Sequence, residues 1–400
     1  MMASVARFRA ATINALRTYP WIGWAAWAVF LVIALARTHP RRYGSTFTFY
    51  VEAARRLWEG QRVYDPATLG DFLYLPAALL VLVPLLWLDP VISAAITLAL
   101  FAAVFTWGCV ALMQVLADDE SRRDAIMLAG LLLLINIPAA WFNFKQVQSQ
   151  IIMTGAMMAA AAAMMQARWT SASLWLTLAV LMKPLALVMA LLCVALCPRM
   201  RLTLGVALLV VLLLPFLLFG GSYMVATYHD YSIKLWGIAA APPSEWIYQA
   251  DFSTLLRAIG IVLPAPVSVT IRLAAALATL GLCWRMRQSG DAKGFALVVL
   301  LLSGCYITLF GPRNEFLSFL VLTPAITALA LLVLKRDEAD YRGWLLIAAA
   351  LFLGFVWAMP VNTSLKPAVV VVIYVWLGWL AYAPERWRAL VGGSAGPAPA

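Results

Sequence analysis

Long apolar runs separated by short polar breaks dominate the chain. They lie near residues 19–36, 73–88, 91–116, 126–142, 150–166, 171–197, 201–219, 264–285, 294–311, 315–334, 343–358 and 365–383. About 20 apolar residues carry a helix across the hydrocarbon core, so the pattern predicts an all-α, polytopic membrane protein of about 12 transmembrane helices. Several runs are short for a full crossing. Asn136 with Pro138, and Lys183 with Pro184, interrupt the runs that hold them. Proline removes a backbone donor and kinks a helix, so these are expected breaks at membrane depth. One stretch has a different rhythm. Phe47, Tyr50, Val51, Ala54, Leu57 and Trp58 recur at helical spacing, with Glu52, Arg55, Arg56 and Glu59 on the other side. That predicts an amphipathic helix lying in the membrane interface. Ser45 or Thr46 is placed to cap its start and Gly60 to end it.

Composition agrees with a lipid environment. The 400 residues are 64% apolar and 12% charged, against roughly half and a quarter in soluble domains, which leaves no room for a separate soluble domain. The net charge of +11 comes from arginines scattered over short loops, which points to a membrane surface and away from nucleic acid. Cys109, Cys193, Cys197, Cys283 and Cys305 sit inside apolar runs without metal-ligand or disulfide spacing and read as packing residues. With His39 and His229 the only two histidines, a histidine-rich metal site is excluded. No cofactor is expected, and a divalent cation held by carboxylates is left as an option.

Charge also orients the chain. Arg7, Arg9 and Arg17 precede the first apolar run; this resembles a signal sequence and is read as a retained first span with its basic end in the cytoplasm. Alternation from there places Arg199, Arg201, Arg285, Arg287, Lys293, Lys335, Arg336, Arg342, Arg386 and Arg388 in the cytoplasm. It exports the two long polar loops, 37–72 and 220–263. The expected organisation is a cytoplasmic amino terminus (1–18), a single transmembrane domain (19–383) and a cytoplasmic tail (384–400), multi-pass in an inner or plasma membrane. The tail from 392 reads as disordered. The acidic run Asp118-Asp119-Glu120 falls outside by the same alternation, although Arg122 and Arg123 pull that loop inward.

The first outer loop concentrates candidate chemistry. Arg37, Arg41, Arg42, Arg55, Arg56 and Arg62 put six positive charges where the orientation rule disfavours arginine. A phosphate or pyrophosphate headgroup compensates them, because guanidinium forks match phosphate oxygens; bulk anionic lipid is the plainer explanation. Glu52, Asp65 and Asp71 share the loop. A carboxylate can take the proton of an acceptor hydroxyl while cations stabilise a departing lipid phosphate, whereas Asp65 in Tyr64-Asp65-Pro66 also suits a simple turn. In loop 220–263, Tyr223, Tyr228, Tyr231, Trp236, Trp246 and Tyr248 fit sugar faces and membrane interfaces equally. Lys183 in hydrocarbon costs a few kcal/mol unless it snorkels or finds a partner. Arg313 and Glu315 read either as a turn pair or as substrate-facing groups.

Several short motifs, in order, resemble the GT-C membrane glycosyltransferases, and among them glycosyltransferase family 87 of polyprenyl-phosphate-mannose-dependent mannosyltransferases. The carriers are Thr46-Phe47-Thr48-Phe49-Tyr50 through Gly60 and Tyr64, then Phe72-Leu73-Tyr74-Leu75-Pro76, Lys145-Gln146-Val147-Gln148, Leu181-Met182-Lys183-Pro184 and Gly311-Pro312-Arg313-Asn314-Glu315. The resemblance implies a lumenal or periplasmic active site, a first-loop carboxylate as base and a sugar donor on a polyprenyl phosphate. It also departs from the family pattern: Thr46 stands where relatives begin with aspartate, and Lys145 and Gln148 alter the polar turn.

The expectation is therefore a hexosyltransferase, mannosyl by resemblance and inverting, acting on a lipid-linked or glycan acceptor at the outer membrane face. Its catalytic candidates are Glu52, Asp65 and Asp71. Its substrate-binding candidates are Arg41, Arg42, Arg55, Arg56, Tyr50, Gln146, Gln148, Lys183, Arg313 and Glu315. The rivals are a secondary transporter, disfavoured because polarity collects in outer loops rather than at midplane, and a non-catalytic relative that binds lipid phosphate.

Overall fold

The computed structural model describes residues 19–38, 46–65, 72–117, 122–240, 249–312, 314–358 and 361–391. Among them the regular secondary structure is helical apart from one isolated bridge, Gln249 with Glu315. Five helices are long and apolar enough to cross a membrane. They are α3 (Pro90–Leu116), α9 (Pro198–Leu218), α12 (Ala265–Gln288), α13 (Ala292–Phe310) and the segment ending in α16 (Lys366–Tyr382). The pair α4 (Arg122–Ile135) and α5 (Ile137–Lys145) makes a sixth, bent by 60° where Asn136 and Pro138 were expected to break it. Shorter apolar helices are α1 (Ile22–Ala36), α6 (Gln150–Met165), α7 (Trp169–Met182), α8 (Leu187–Leu196) and α15 (Tyr341–Gly354). The protein is a multi-pass helical membrane protein.

Helix α6 is the centre: every one of its residues is buried. It is rich in alanine and methionine and holds one glycine, and small residues let backbones close in where lipid offers no hydrophobic drive to association. At the crossing with α3, a Cβ added at Gly155 falls 2.7 Å from the Phe105 nitrogen, and one at Gly108 falls 2.9 Å from the Gly155 Cα. Helix α13 is likewise buried along its length, while α9 and α12 stay mostly exposed as apolar peripheral helices. All five cysteines are buried and free, as packing residues should be.

Hydrogen bonds show which helix ends lie together. Helix α2 (Phe47–Trp58) is the amphipathic helix expected from the sequence, with Phe47, Tyr50, Ala53, Ala54 and Leu57 buried. The Tyr50 and Tyr74 rings sit 5.5 Å apart and the Trp58 and Trp87 rings 5.3 Å apart. Tyr50 and Trp58 are eight residues apart on one helix, about 12 Å. Both ends of the apolar run 73–88 are therefore near one end of the molecule, and that run, a pair of 3-10 turns (Pro76–Val81 and Val83–Leu85), does not cover the roughly 30 Å of a crossing.

The run 171–197 departs from a single span in the opposite sense. It folds back at Lys183-Pro184 into α7 and α8. Near its two ends, Ser173 meets Thr203 (2.8 Å) and Cys193 meets Met164 (3.7 Å), while Lys183 at the tip reaches Gln150 at the other end of α6 (2.7 Å). One apparent span too many and one too few cancel, so the alternation of later segments is unchanged.

Between these two runs the alternation is reversed. Trp24 donates to the Ile126 carbonyl (2.8 Å) and Lys335 to the Ala117 carbonyl (2.7 Å). The flanks of the acidic run 118–120, itself outside the described residues, thus lie with the basic ends and not with the first loop. The 145–150 turn lies with the first loop.

At the basic end, α17 (Pro384–Val391) follows α16 and buries Trp387. It is tied down by Arg388 donating to the Ser289 carbonyl (2.7 Å) and by Arg336 donating to the Ala389 carbonyl. The amino-terminal segment 1–18 and the tail 392–400 lie outside the described residues.

Candidate functional site

The first-loop end gathers polar groups onto an otherwise apolar bundle. Tyr50, on the buried face of α2, accepts from the Ser149 backbone nitrogen (3.3 Å) and donates to the Tyr74 hydroxyl (3.3 Å). Tyr50, Phe72, Tyr74, Ala78, Phe101, Ser149 and Met182 line one cavity. Tyr64 donates to the Tyr74 carbonyl (2.6 Å), fastening the loop after α2 over that cavity. Burial pushes the Tyr64 phenol well above its ordinary range, so it stays a neutral donor.

The turn between α5 and α6 forms the floor. The Gln148 amide donates to Gln146 Oε1 (3.0 Å), and the Gln148 backbone nitrogen donates to the Asn143 carbonyl (2.9 Å). Val147 holds φ at 53°, a left-handed conformation that is costly for a β-branched residue and survives only where the surroundings over-determine it. Thr46 does part of that: its hydroxyl donates to the Gln146 carbonyl (2.7 Å). An ionised carboxylate has no proton to give there, so a hydroxyl side chain is what this turn calls for. Replacing Thr46 with valine is expected to cost about 1 kcal/mol, read as a small fall in melting temperature of the detergent-solubilised protein.

Proline sets Lys183. Residues before proline avoid the helical region, and Lys183 is extended (φ −155°, ψ 116°), ending α7. Its ammonium donates to Gln150 Oε1 at 2.7 Å, and the Gln150 amide donates to the Ser318 carbonyl at 3.4 Å. The segment 314–318 is held in turn by Asn143, which donates to the Leu317 carbonyl (3.2 Å), and by the Ala250 nitrogen, which donates to the Asn314 carbonyl (2.7 Å). Glu315 lies close enough to act electrostatically on the Tyr74 phenol.

The structure thus brings Tyr50, Gln146, Gln148, Lys183 and Glu315 to one end. The other candidates divide. Glu52, Arg55 and Arg56 stand on the exposed side of α2, Glu52 bridging Arg56 (3.0 Å) and Arg55 (3.7 Å). Asp65 follows the buried Tyr64, with its charge felt at Arg62. Arg62 itself pairs with Asp230 through two contacts (2.7 and 3.1 Å), which hold its guanidinium pKa above the ordinary value. That pair links the first loop to α10 (Gly221–Ala240), as does Tyr223 donating to the Gln61 carbonyl (2.7 Å). Arg41, Arg42, Asp71 and Arg313 lie outside the described residues.

Two residues that contact the 314–319 segment escaped the sequence reading. Gln150 is the polar residue that opens an otherwise apolar helix, and its signal is that isolation. Lys366 opens α16 as Lys366-Pro367 and repeats the Lys183-Pro184 pattern. Among the described residues no group of three or more His, Cys, Asp or Glu side chains is arranged to hold a metal ion.

Comparison with known proteins adds a family. The model of glycosyltransferase family 87 matches residues 72–312. No curated protein matches the chain.

Proposed function

The chain belongs to glycosyltransferase family 87, and from that premise we propose that it moves a hexose, mannose by resemblance, from a polyprenyl phosphate to a lipid-linked or glycan acceptor. The observation that supports this most is Lys183. A half-buried lysine placed by a Lys-Pro break at the first-loop end of an apolar bundle, and oriented by Gln150 beside the Tyr50–Tyr74 cavity, suits an anionic lipid headgroup. A lipid-borne donor reaches such a site laterally through the membrane. The reading carries with it a GT-C-like architecture of about 12 spans, with α2 in the interface of the non-cytoplasmic face and both termini in the cytoplasm.

The chemistry is a direct displacement with inversion. The acceptor oxygen forms the new glycosidic bond as the bond from the anomeric carbon to the phosphate oxygen breaks, and the lipid phosphate departs with that electron pair. A first-loop carboxylate takes the acceptor proton, and cations stabilise the departing phosphate. Asp65 directly follows Tyr64, which is fastened over the cavity, whereas Glu52 stands on the exposed side of α2, and this position favours Asp65 as the base. Arg55 and Arg56, with Arg41 and Arg42, then serve the headgroup region, while Tyr50, Gln146, Gln148, Arg313 and Glu315 border the sugar and phosphate. The mechanism as proposed requires no cofactor, and a chelator titration tests for a bound divalent ion.

The test is transfer by the full chain in lipid nanodiscs supplied with polyprenyl-phosphate mannose, against a nucleotide-sugar control. Product from the lipid donor alone is expected. Product from the nucleotide sugar alone refutes the donor assignment, and donor binding without turnover supports the non-catalytic relative. In the same assay E52Q is expected to retain activity within about two-fold, while D65N loses about 100-fold or more, the scale of a general-base role. Loss confined to D71N moves the base to Asp71, and full activity in all three variants removes the base from the first loop.

A further inference from the structure

Lys366 is fully buried, and its ammonium has no hydrogen-bond partner among the described residues. Nζ lies over the Phe319 ring, 5.3 Å from its centroid. Phe319 belongs to the same 314–319 segment that receives Gln150 and, through it, Lys183. The same ring lines a second cavity with Pro138, Phe142, Leu317 and Gly354. Within that segment, Asn314 Oδ1 also lacks a partner among the described residues.

A lysine in this position is costly in three ways. Burial strips its water, the face of one aromatic ring returns only part of that loss, and the first turn of a helix repels positive charge. An ammonium has no acceptor to offer the free backbone N–H groups of the first turn, so the lysine does not cap the helix either. What the surroundings lack is an anion. A phosphate group supplies the compensating charge and accepts from Nζ, and the start of α16 favours negative charge.

We infer that Lys366 is a second cationic ligand for a phosphate group, beside the 314–319 segment that also receives Lys183 through Gln150. Under the function proposed above, which this inference extends, that phosphate is the one on the polyprenyl donor and product. Free phosphate offers the same chemistry, and the two sources are separable by experiment.

The probes are polyprenyl phosphate, inorganic phosphate and uncharged polyprenol, added to the detergent-solubilised full chain while its melting temperature is followed. Wild-type protein is expected to be stabilised by polyprenyl phosphate and not by polyprenol. In K366M, of similar volume, the apparent Kd for polyprenyl phosphate weakens about 10- to 100-fold, as expected for a lost charged hydrogen bond; K366R recovers part of it. Without ligand, K366M melts at or above the wild-type temperature, because a desolvated charge has been removed. A merely structural lysine lowers it.

A Lys366-dependent shift produced equally by inorganic phosphate assigns the site to free phosphate. Equal polyprenyl-phosphate affinity in wild type and K366M, no response of the wild type to either phosphate, or a destabilised unliganded K366M each overturns the inference. The two proposals fail separately. Lys366-dependent phosphate binding without sugar transfer defeats only the enzymatic reading, and transfer with Lys366-independent binding defeats only this one.

Discussion

Replacing Gly155 with leucine is expected to eliminate the folded protein, the largest effect of any single substitution considered. Gly155 is the point where the wholly buried α6 meets α3, and an added Cβ falls 2.6 Å from the Val104 oxygen and 2.7 Å from the Phe105 nitrogen. Those are backbone atoms and cannot rotate away. In lipid the two helices associate through close packing, so separating them to admit a side chain sacrifices the contacts that hold them together. Overpacking alone costs about 1–3 kcal/mol in ordinary cores, and the rigid backbone neighbours place G155L at or beyond the upper end. The check is monodispersity and melting temperature after detergent extraction. G155A and G108A should show graded losses, and G205A should be neutral, because nothing lies within 4 Å of a Cβ at Gly205. If G155L extracts as a monodisperse protein with wild-type melting, the α3–α6 crossing is wrongly described.

The second large effect falls on activity. K183M is expected to reduce kcat/KM with polyprenyl-phosphate mannose about 100-fold or more, the usual consequence of removing a preorganised donor to developing charge, while leaving the melting temperature close to wild type. K183R should be partly active, since it keeps charge but not the compact ammonium that meets Gln150 at 2.7 Å. Q150L leaves the charge in place and removes the group that orients it, so it is expected to lose less, about ten-fold. A K183M variant that transfers sugar at the wild-type rate would exclude Lys183 from the site. Measuring K183M beside K366M separates a residue that acts on the rate from one that acts chiefly on phosphate affinity.

How far these assignments were visible beforehand depended on range. The amphipathic helix α2 could be read directly, because a stripe at helical spacing and its opposing charged side are properties of one short segment. The same holds for the breaks at Pro138 and Pro184, which follow from proline's missing donor and its effect on the preceding residue. Tyr50, Gln146, Gln148, Lys183 and Glu315 were identified through ordered motifs, and the structure brings them to one end. Gln150 and Lys366 were passed over because each resembles an ordinary polar residue near a helix start. Only the 314–319 segment, more than 160 residues from Gln150 in sequence, shows what the Gln150 amide reaches.

Sequence by itself determined that this chain is helical, that it lives in lipid, and where its helices break, since hydrophobic run length and proline chemistry act locally. Tertiary structure alone decided the direction in which each run travels. The run 73–88 is as apolar as a span yet stays at one end, because the Tyr50–Tyr74 and Trp58–Trp87 contacts hold both of its ends to α2. The run 171–197 returns on itself because Lys183-Pro184 turns the backbone and Gln150 fixes the tip. Hydropathy records how much a segment prefers lipid and carries no sign for direction. Direction comes from contacts between residues far apart in the chain, and those same contacts bring Lys183, the tyrosines and the 314–319 segment to one end.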